Sequence, residues 1–441
     1  MQSFLVCFRE ECREKYPITE VTYQCPRCGG LLETGYEWQG VEKTVWKDLW
    51  RERRTDNLPV NQSGVWRYRE LLPFDDHLES VITLREGNTP LLRSSSAASY
   101  AGLDSIAFKH QGFNPTGSFK DNGMTCGVSQ ALRLGRKRVA CVSTGNTSAS
   151  MAAYASAAGL QPVIFLPHGN ISFGKLSQAI EYGALTVQVE ANFDQILTLV
   201  RRIADQADLY LLNSINPFRI EGQKAIAVEM LDQRDWRVPD WVVMPGGNLG
   251  NCSALGKGFI ELYCNGLVDR LPRIAIVQAA GAAPFYEFMK APRGRPFVPV
   301  EDPNTLATAI RIGAPVSWPK AQRVLEKTNG LVEHVTEQEI ADAKAIVGRS
   351  GIGCEPASAA TLAGVRNLVS QNVIRADSDV VAVLTGNLLK DPDYIYRYHT
   401  GQLKTPAGVE ITSTFGNKPV IAGNSETELV KLLEQCWNGD R

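Results

Sequence analysis

From about residue 105 onward, short apolar runs alternate with stretches of helical spacing, and that alternation admits few folds. Arg138-Val-Ala-Cys-Val-Ser143 reads as a strand, and a helix of small residues follows over Ser148 to Ala158. The strand pattern returns at Gln161-Pro-Val-Ile-Phe-Leu166, Leu185 to Val189 and Leu209 to Leu212. Helical spacing separates these runs, through Lys175 to Tyr182 and over Phe193 to Ala204. Further strands are expected at Trp241-Val-Val-Met244, Arg273-Ile-Ala-Ile-Val277 and Val380-Val-Ala-Val-Leu384. A helix of this length between two strands returns the chain to lay the second strand parallel to the first. Strands that are apolar throughout are covered on both faces, so the expectation is an α/β protein of parallel βαβ units. The 441 residues suffice for two or three domains with large cores.

Composition removes several classes of function. A formal net charge of -1 gives no reason to expect nucleic acid as a partner. No run of eighteen apolar residues is present, so no membrane-spanning helix is expected. The N-terminus, MQSFLVCFREECREKYP, breaks its apolar run at Arg9, Glu10 and Glu11 and does not read as a secretory signal. Ten cysteines in this length are too sparse for a disulfide scaffold and fit a reducing, cytoplasmic setting.

Residues 1 to about 80 differ from the rest, with Trp38, Trp46, Trp50 and Trp66 beside two cysteine pairs. Cys25-Pro-Arg-Cys-Gly-Gly30 is one half of a zinc-ribbon knuckle, with two thiolates at C-x-x-C spacing and glycines for the tight turn. Its partner would be Cys7 and Cys12, which stand at the wider C-x-x-x-x-C spacing. Two readings stay open at this point: a zinc site, and a remnant fold packed by Tyr16, Tyr23 and Leu31. The aromatic and basic arm over Trp46 to Arg54 reads as a packing element.

Three segments carry chemistry. Asn114-Pro-Thr-Gly-Ser-Phe-Lys-Asp121 places Lys120 in turn-forming sequence at the mouth of a helix. Standing alone it would be a solvated lysine after a turn. In a dry pocket the same amine loses its proton readily and condenses with an aldehyde, which is what pyridoxal phosphate requires. The second segment, Trp241-Val-Val-Met-Pro-Gly-Gly-Asn-Leu-Gly-Asn251, runs from a buried strand through glycines into a helix over Cys252 to Leu262. Glycines admit an anion close to the backbone, and a helix start offers it unpaired N–H groups. The segment lacks the G-x-x-x-x-G-K-[ST] pattern, so ATP is a poor fit. The third, Ser143-Thr-Gly-Asn-Thr147, gathers hydroxyls and an amide at a strand end; a plain helix cap would not need Asn146.

In this order the three segments resemble the fold-type-II pyridoxal phosphate enzymes, and further motifs narrow the resemblance to the threonine synthases. These are Asn213-Ser-Ile-Asn-Pro-Phe-Arg219 with Glu221-Gly-Gln-Lys224, Thr305-Leu-Ala-Thr-Ala-Ile-Arg-Ile-Gly313, Gly353-Cys-Glu-Pro-Ala-Ser358, and Leu384-Thr-Gly-Asn387 with Lys390-Asp-Pro392. The resemblance spans roughly residues 85 to 395. It implies two open, twisted, mostly parallel sheets flanked by helices, with a small zinc-ribbon-like module at the N-terminus. It further implies a module and arm over 1–84, a cofactor-binding domain over 85–136 and 220–400, a substrate-binding domain over 137–219, and a tail over 401–441.

The resemblance also implies roles. Lys120 would bond the cofactor's aldehyde and later move protons. Asn146 would bond its phenolic oxygen, Thr385 would face the pyridine nitrogen, and Gly247, Asn248, Leu249, Gly250 and Asn251 would hold its phosphate. Ser143, Thr144 and Thr147 would hold the amino-acid substrate. Asn213, Ser214 and Arg219, with Lys175 as a further candidate, would bind the phosphate of O-phospho-L-homoserine. A zinc ion on Cys7, Cys12, Cys25 and Cys28, read from the cysteine spacing and not from the resemblance, would be structural, and a homodimer is the family's expectation. A serine or threonine dehydratase shares the fold but needs no second phosphate site, so Arg219 separates the two readings. A non-catalytic relative whose ribbon binds a partner would have no use for Lys120, the glycine cradle and Thr385 together. His110 reads as structural.

Overall fold

The computed structural model describes residues 2–74, 77–169, 173–292 and 294–437, with the side chains of residues 173–175, 194 and 437 outside that description. The chain opens with an antiparallel sheet of β1 (Gln2–Cys7), β2 (Lys15–Pro17) and β3 (Leu32–Glu37), in the order β2-β1-β3. Strands β4 (Leu91–Arg93) and β5 (Ile106–His110) begin the main body. A four-stranded parallel sheet follows from β6 (Arg138–Val142), β7 (Gln161–Pro167), β8 (Leu185–Val189) and β9 (Leu209–Leu211), in the order β8-β7-β6-β9. The chain then returns to the first body with β10 (Trp241–Pro245), β11 (Arg273–Ala279), β12 (Leu331–Val335) and β13 (Val380–Leu384). These complete a six-stranded sheet, β12-β11-β10-β13-β5-β4, which is parallel except for β4 at one edge.

The central strands β10 and β13 are buried along their whole length, as doubly covered parallel strands must be. Helix ends carry the expected chemistry. Asn192 and Gln195 form a capping box on the helix Phe193–Ile203, and Thr336 and Glu339 do the same for Glu337–Arg349. The helix Pro217–Asp232 starts with a proline after an Asn216 cap and is buried throughout. It crosses the helix Lys120–Arg133 at glycine: a Cβ on Gly222 would fall 1.8 Å from the Asn122 carbonyl oxygen. That close crossing sets the distance between the two helices that begin near Lys120 and Arg219.

Three element boundaries differ from the sequence-based expectation, and each difference matters at the site. The helix expected from Cys252 begins at Gly250, because Leu249 takes a left-handed conformation (φ 63°) and turns the chain within the glycine motif itself. The helix expected from Ser148 begins at Asn146. Arg219, in the motif that follows the strand expected over Leu209 to Leu212, stands in the first turn of a helix, because β9 stops at Leu211 and Asn216-Pro217 starts the helix early. The aromatic arm forms the helix Trp46–Arg53, in which Trp50 is fully buried between Trp46, Tyr68 and Trp236. Beyond residue 400, Leu403 and Ile411 pack with Tyr394 and Tyr398, and a last helix spans Glu426–Trp437.

Candidate active site

Strands β5, β13 and β10 lie side by side and parallel, so their C-terminal ends open on one edge of the sheet. The loop after β5 carries Lys120, the turn after β13 carries Thr385, and the turn after β10 carries the glycines. Open α/β sheets take their ligands at this edge. The loops are tied to one another. Phe119 N donates to the Thr385 carbonyl oxygen at 3.0 Å, and Asn387 N donates to Gly117 O at 2.9 Å. Asp121 stiffens the lysine loop by accepting from Thr116 N at 2.7 Å, Thr116 Oγ1 at 2.6 Å and Ser150 Oγ at 2.5 Å. Burial still pushes its carboxyl up to about 6.

Lys120 opens its helix, with Nζ 3.9 Å from the centre of the Phe119 ring. Burial, and after it the positive charge of Arg219, lowers its ammonium pKa to about 7, with Glu355 pulling the other way. An amine that is half neutral near pH 7 is a competent nucleophile and proton carrier.

The glycine turn has the form of an anion cradle. A Cβ on Gly247 would meet Ala309 O and Ile310 Cα at 3.1 Å, so a glycine there lets the turn pack closely against residues 309–310. The helix Gly250–Cys264 begins in that turn with unpaired N–H groups. Asn251 is 7% exposed, yet neither its Nδ2 nor its Oδ1 has a hydrogen-bond partner. A buried amide with both atoms unsatisfied is costly unless a ligand satisfies it. Asn248 is committed elsewhere, accepting from Val316 N at 2.6 Å.

From the smaller sheet, the turn after β6 brings Ser143–Thr147 to the same opening. Gly145 is the residue before the helix and no side chain caps it. Thr144 and Thr147 are half-buried in the same segment, and Ser143 Oγ accepts from Gly145 N at 3.2 Å. Asn146 Nδ2 donates to Glu355 Oε2 at 3.0 Å, and Thr385 Oγ1 donates to Glu355 Oε1 at 2.9 Å. Ser358 Oγ lies 2.9 Å from Thr385 Oγ1 and accepts from Thr385 N at 2.7 Å. Glu355 is 2% exposed, and burial raises its pKa above the usual carboxylate value against the pull of these hydrogen bonds. Glu355 and Ser358 stood in a recognised motif without a role; the signal available in sequence was an acidic residue directly before a proline-initiated helix.

Arg219 is 1% exposed. Its Nη1 donates to Leu212 O at 2.8 Å, its Nε has no partner, and burial lowers its pKa to about 10, so it stays charged near neutrality. Asn213 is used by the end of β6, accepting from Val142 N at 3.2 Å and donating to Val142 O at 3.1 Å. Ser214 follows, half-buried in an otherwise buried loop. Lys175 falls in the helix Phe173–Glu181, but its side chain lies outside the described residues. His110 donates from Nε2 to Gly353 O at 2.7 Å and accepts from Gly112 N at 3.1 Å, which occupies both ring nitrogens with backbone. Cys7, Cys12, Cys25 and Cys28 gather with one another in the N-terminal sheet.

Residues 82–386 match the family model described as pyridoxal-phosphate dependent enzyme. The chain is 43% identical over 402 residues to the threonine synthase of Methanocaldococcus jannaschii, covering 91% of this chain and 96% of that one. It is 44% identical over 387 residues to the threonine synthase of Methanosarcina acetivorans, covering 87% and 92% of the two chains. Among solved structures, maize serine racemase superposes with a TM-score of 0.58 at 22% identity, over 68% of this chain and 88% of that one.

Proposed function

The chain belongs to the pyridoxal-phosphate-dependent enzymes, in the branch of the threonine synthases, and from that premise we propose how its own residues release phosphate from O-phospho-L-homoserine and add water to give L-threonine and inorganic phosphate. The observation that carries the reading is a lysine amine with its pKa lowered to about 7, standing within the influence of a buried arginine and beside a glycine cradle whose Asn251 amide is unsatisfied. Bound pyridoxal phosphate supplies an electron sink that acidifies the protons on the α and β carbons of an attached amino acid. Lys120 would hold that cofactor, and its neutral amine would take the proton from the α carbon of the substrate and return one later.

Asn251 and the backbone from Gly247 to Gly250 hold the cofactor phosphate, and Asn248 acts by pinning the turn to Val316. Asn146 would serve the cofactor's phenolic oxygen. Thr385 would serve its ring nitrogen with a hydroxyl, which does not enforce protonation there and so would favour elimination and replacement over transamination. Arg219 binds the substrate phosphate through its planar, permanently charged guanidinium and stabilises it as it leaves the γ carbon. Ser143, Thr144 and Thr147 hold the substrate carboxylate. Asn213 holds the loop that carries Ser214 against the end of β6. Residues 85–136 and 220–400 act as the cofactor domain, and 137–219 as the substrate domain, each supported by the sheet it carries.

The protein works as a homodimer in the cytoplasm, without nucleic acid or membrane. All ten cysteines are free, in keeping with a reducing compartment, and no helix among the described residues is long and apolar enough to cross a membrane. The test is to supply O-phospho-L-homoserine to the cofactor-loaded enzyme and follow phosphate and threonine together. Equal amounts of both are expected. Phosphate without threonine, or faster dehydration of free serine or threonine, would sink the assignment.

A further inference from the structure

We propose that Cys7, Cys12, Cys25 and Cys28 bind one zinc ion as a closed tetrathiolate site, and that this site holds the N-terminal sheet as a clamp across the two larger sheets. The four sulfur atoms all lie within 4.8 Å of one another. Cys7 Sγ is 3.4 Å from Cys28 Sγ, and Cys12 Sγ is 3.7 Å from Cys25 Sγ. A disulfide would need about 2.05 Å. A tetrahedron with zinc–sulfur bonds of about 2.3 Å has edges of about 3.8 Å. The pairs interleave, each joining one cysteine of the first turn to one of the second, as a single central ion requires.

The backbone around the thiols is built for this. Cys25 to Gly30 closes as a tight turn, with Gly29 N donating to Cys25 O at 2.8 Å and Cys25 N donating to Gly30 O at 2.7 Å. The wider first spacing is absorbed by a turn in which Cys12 N and Arg13 N both donate to Arg9 O, at 3.1 and 3.0 Å, with Arg13 at a φ of 47°. The longer spacing thus moves Cys12 to its place without pulling it from the cluster. Tyr16 Oη lies 3.1 Å from Cys25 Sγ, an outer-shell hydrogen bond of the kind that orients metal ligands.

The clamp follows from where the sheet rests. Tyr23 Oη, two residues before Cys25, accepts from Leu211 N of β9 at 2.7 Å. Ile18 O accepts from Gln130 Nε2 of the lysine-bearing helix at 3.0 Å. On the other side, Lys320 donates to Leu32 O at 2.7 Å, Lys257 donates to Thr34 O at 2.6 Å, and Glu33 accepts from Arg323. One small sheet therefore holds an edge of the four-stranded sheet and the helical cover of the six-stranded one. A sheet this small has too little core to stay ordered by itself, and a tetrathiolate ion supplies what it lacks.

The test uses the full-length, cofactor-loaded protein. Elemental analysis should find one equivalent of zinc per chain, and replacing it with cobalt should give the d–d bands of a tetrahedral cobalt tetrathiolate. Cys12→Ser and Cys28→Ser, at the two partly exposed positions, should lose the metal and lower the thermal midpoint while keeping the cofactor's visible absorbance. Should these variants not fold, the metal content and cobalt spectrum of the unaltered protein decide alone. Absence of metal after reconstitution with zinc under reducing conditions, iron in place of zinc, or zinc retained in both variants would overturn the proposal.

Discussion

Replacing Arg219 with methionine tests the substrate assignment most directly, because three consequences can be worked from its surroundings. Methionine keeps the aliphatic stem, which matters since Arg219 Cγ stands 3.4 Å from where a Cβ on Gly127 would be. Losing the bond to Leu212 O leaves a buried carbonyl unpaired, at about 1–3 kcal/mol, partly offset by no longer burying a guanidinium. The folded protein should therefore survive. Loss of a charge-assisted bond to the substrate phosphate removes roughly 1.5–3 kcal/mol of binding, or about one to two powers of ten in affinity. Removing the neighbouring positive charge also lets the Lys120 pKa rise from about 7 toward its ordinary value, although burial still holds it down. The assay is titration of both proteins with O-phospho-L-homoserine, followed by the change in cofactor absorbance, with cofactor affinity measured in parallel. Weaker substrate binding with unchanged cofactor binding is expected. Equal affinities for the phosphorylated substrate would refute the reasoning and return the dehydratase reading.

The rate at which cofactor-free protein takes up pyridoxal phosphate should fall by about tenfold for each pH unit below about 7, because only the neutral Lys120 amine attacks, and a stopped-flow rate flat between pH 6 and 8 would contradict the lowered pKa. Asn251→Ala should weaken cofactor binding by about tenfold or more while leaving the substrate's phosphate affinity alone, which equilibrium titration can separate. Glu355→Gln keeps the shape but sets an amide N–H against Asn146 or Thr385, so the cofactor's absorbance maximum and the ratio of threonine to side products should both move; unchanged values would make Glu355 a packing residue only.

The fold was legible where the physics is local. Strands such as Val380–Leu384 are apolar throughout and admit one reading, and they appear where expected. Leu331–Val335 does not read as a strand from hydropathy because Glu333 and His334 interrupt the apolar pattern. Those side chains find partners far away in sequence, Glu333 accepting from Gln371 at 3.0 Å and the His334 ring lying tilted against Tyr286, with centroids 4.1 Å apart. Ile106–His110 hides in the same way: Lys109 is fully buried in the strand, where its Nζ pairs with Glu229 at 2.6 Å and donates to Thr89 O at 2.7 Å and Gln233 Oε1 at 2.9 Å. The site was legible as three separate motifs, since each has its own turn chemistry. Their convergence was not, because it depends on the strand order β10-β13-β5, which inserts the last strand of the large sheet between two strands that come well before it in sequence. Glu355 was out of reach for the same reason, its role resting on bonds to residues 209 and 30 positions away in the chain.

That long-range geometry also couples specificity to reactivity. Arg219 is brought beside Lys120 by a helix crossing that only glycine permits, at Gly222 against Asn122 and at Gly123 against the Arg219 carbonyl, where a Cβ would stand at 1.8 and 2.8 Å. The arginine proposed to recognise a phosphorylated substrate is thus also the charge that keeps the lysine amine partly neutral. A change of substrate class made by losing Arg219 alone would raise the lysine pKa and slow proton transfer near pH 7. An enzyme of this framework acting on unphosphorylated amino acids has to lower its lysine pKa by other means, with deeper burial the direct route, since burial is already the larger cause here. The pair Arg219→Met and Arg219→Lys separates the two effects: lysine restores a positive charge without the planar fork, so it should recover the low Lys120 pKa in the uptake assay while recovering little of the phosphate affinity.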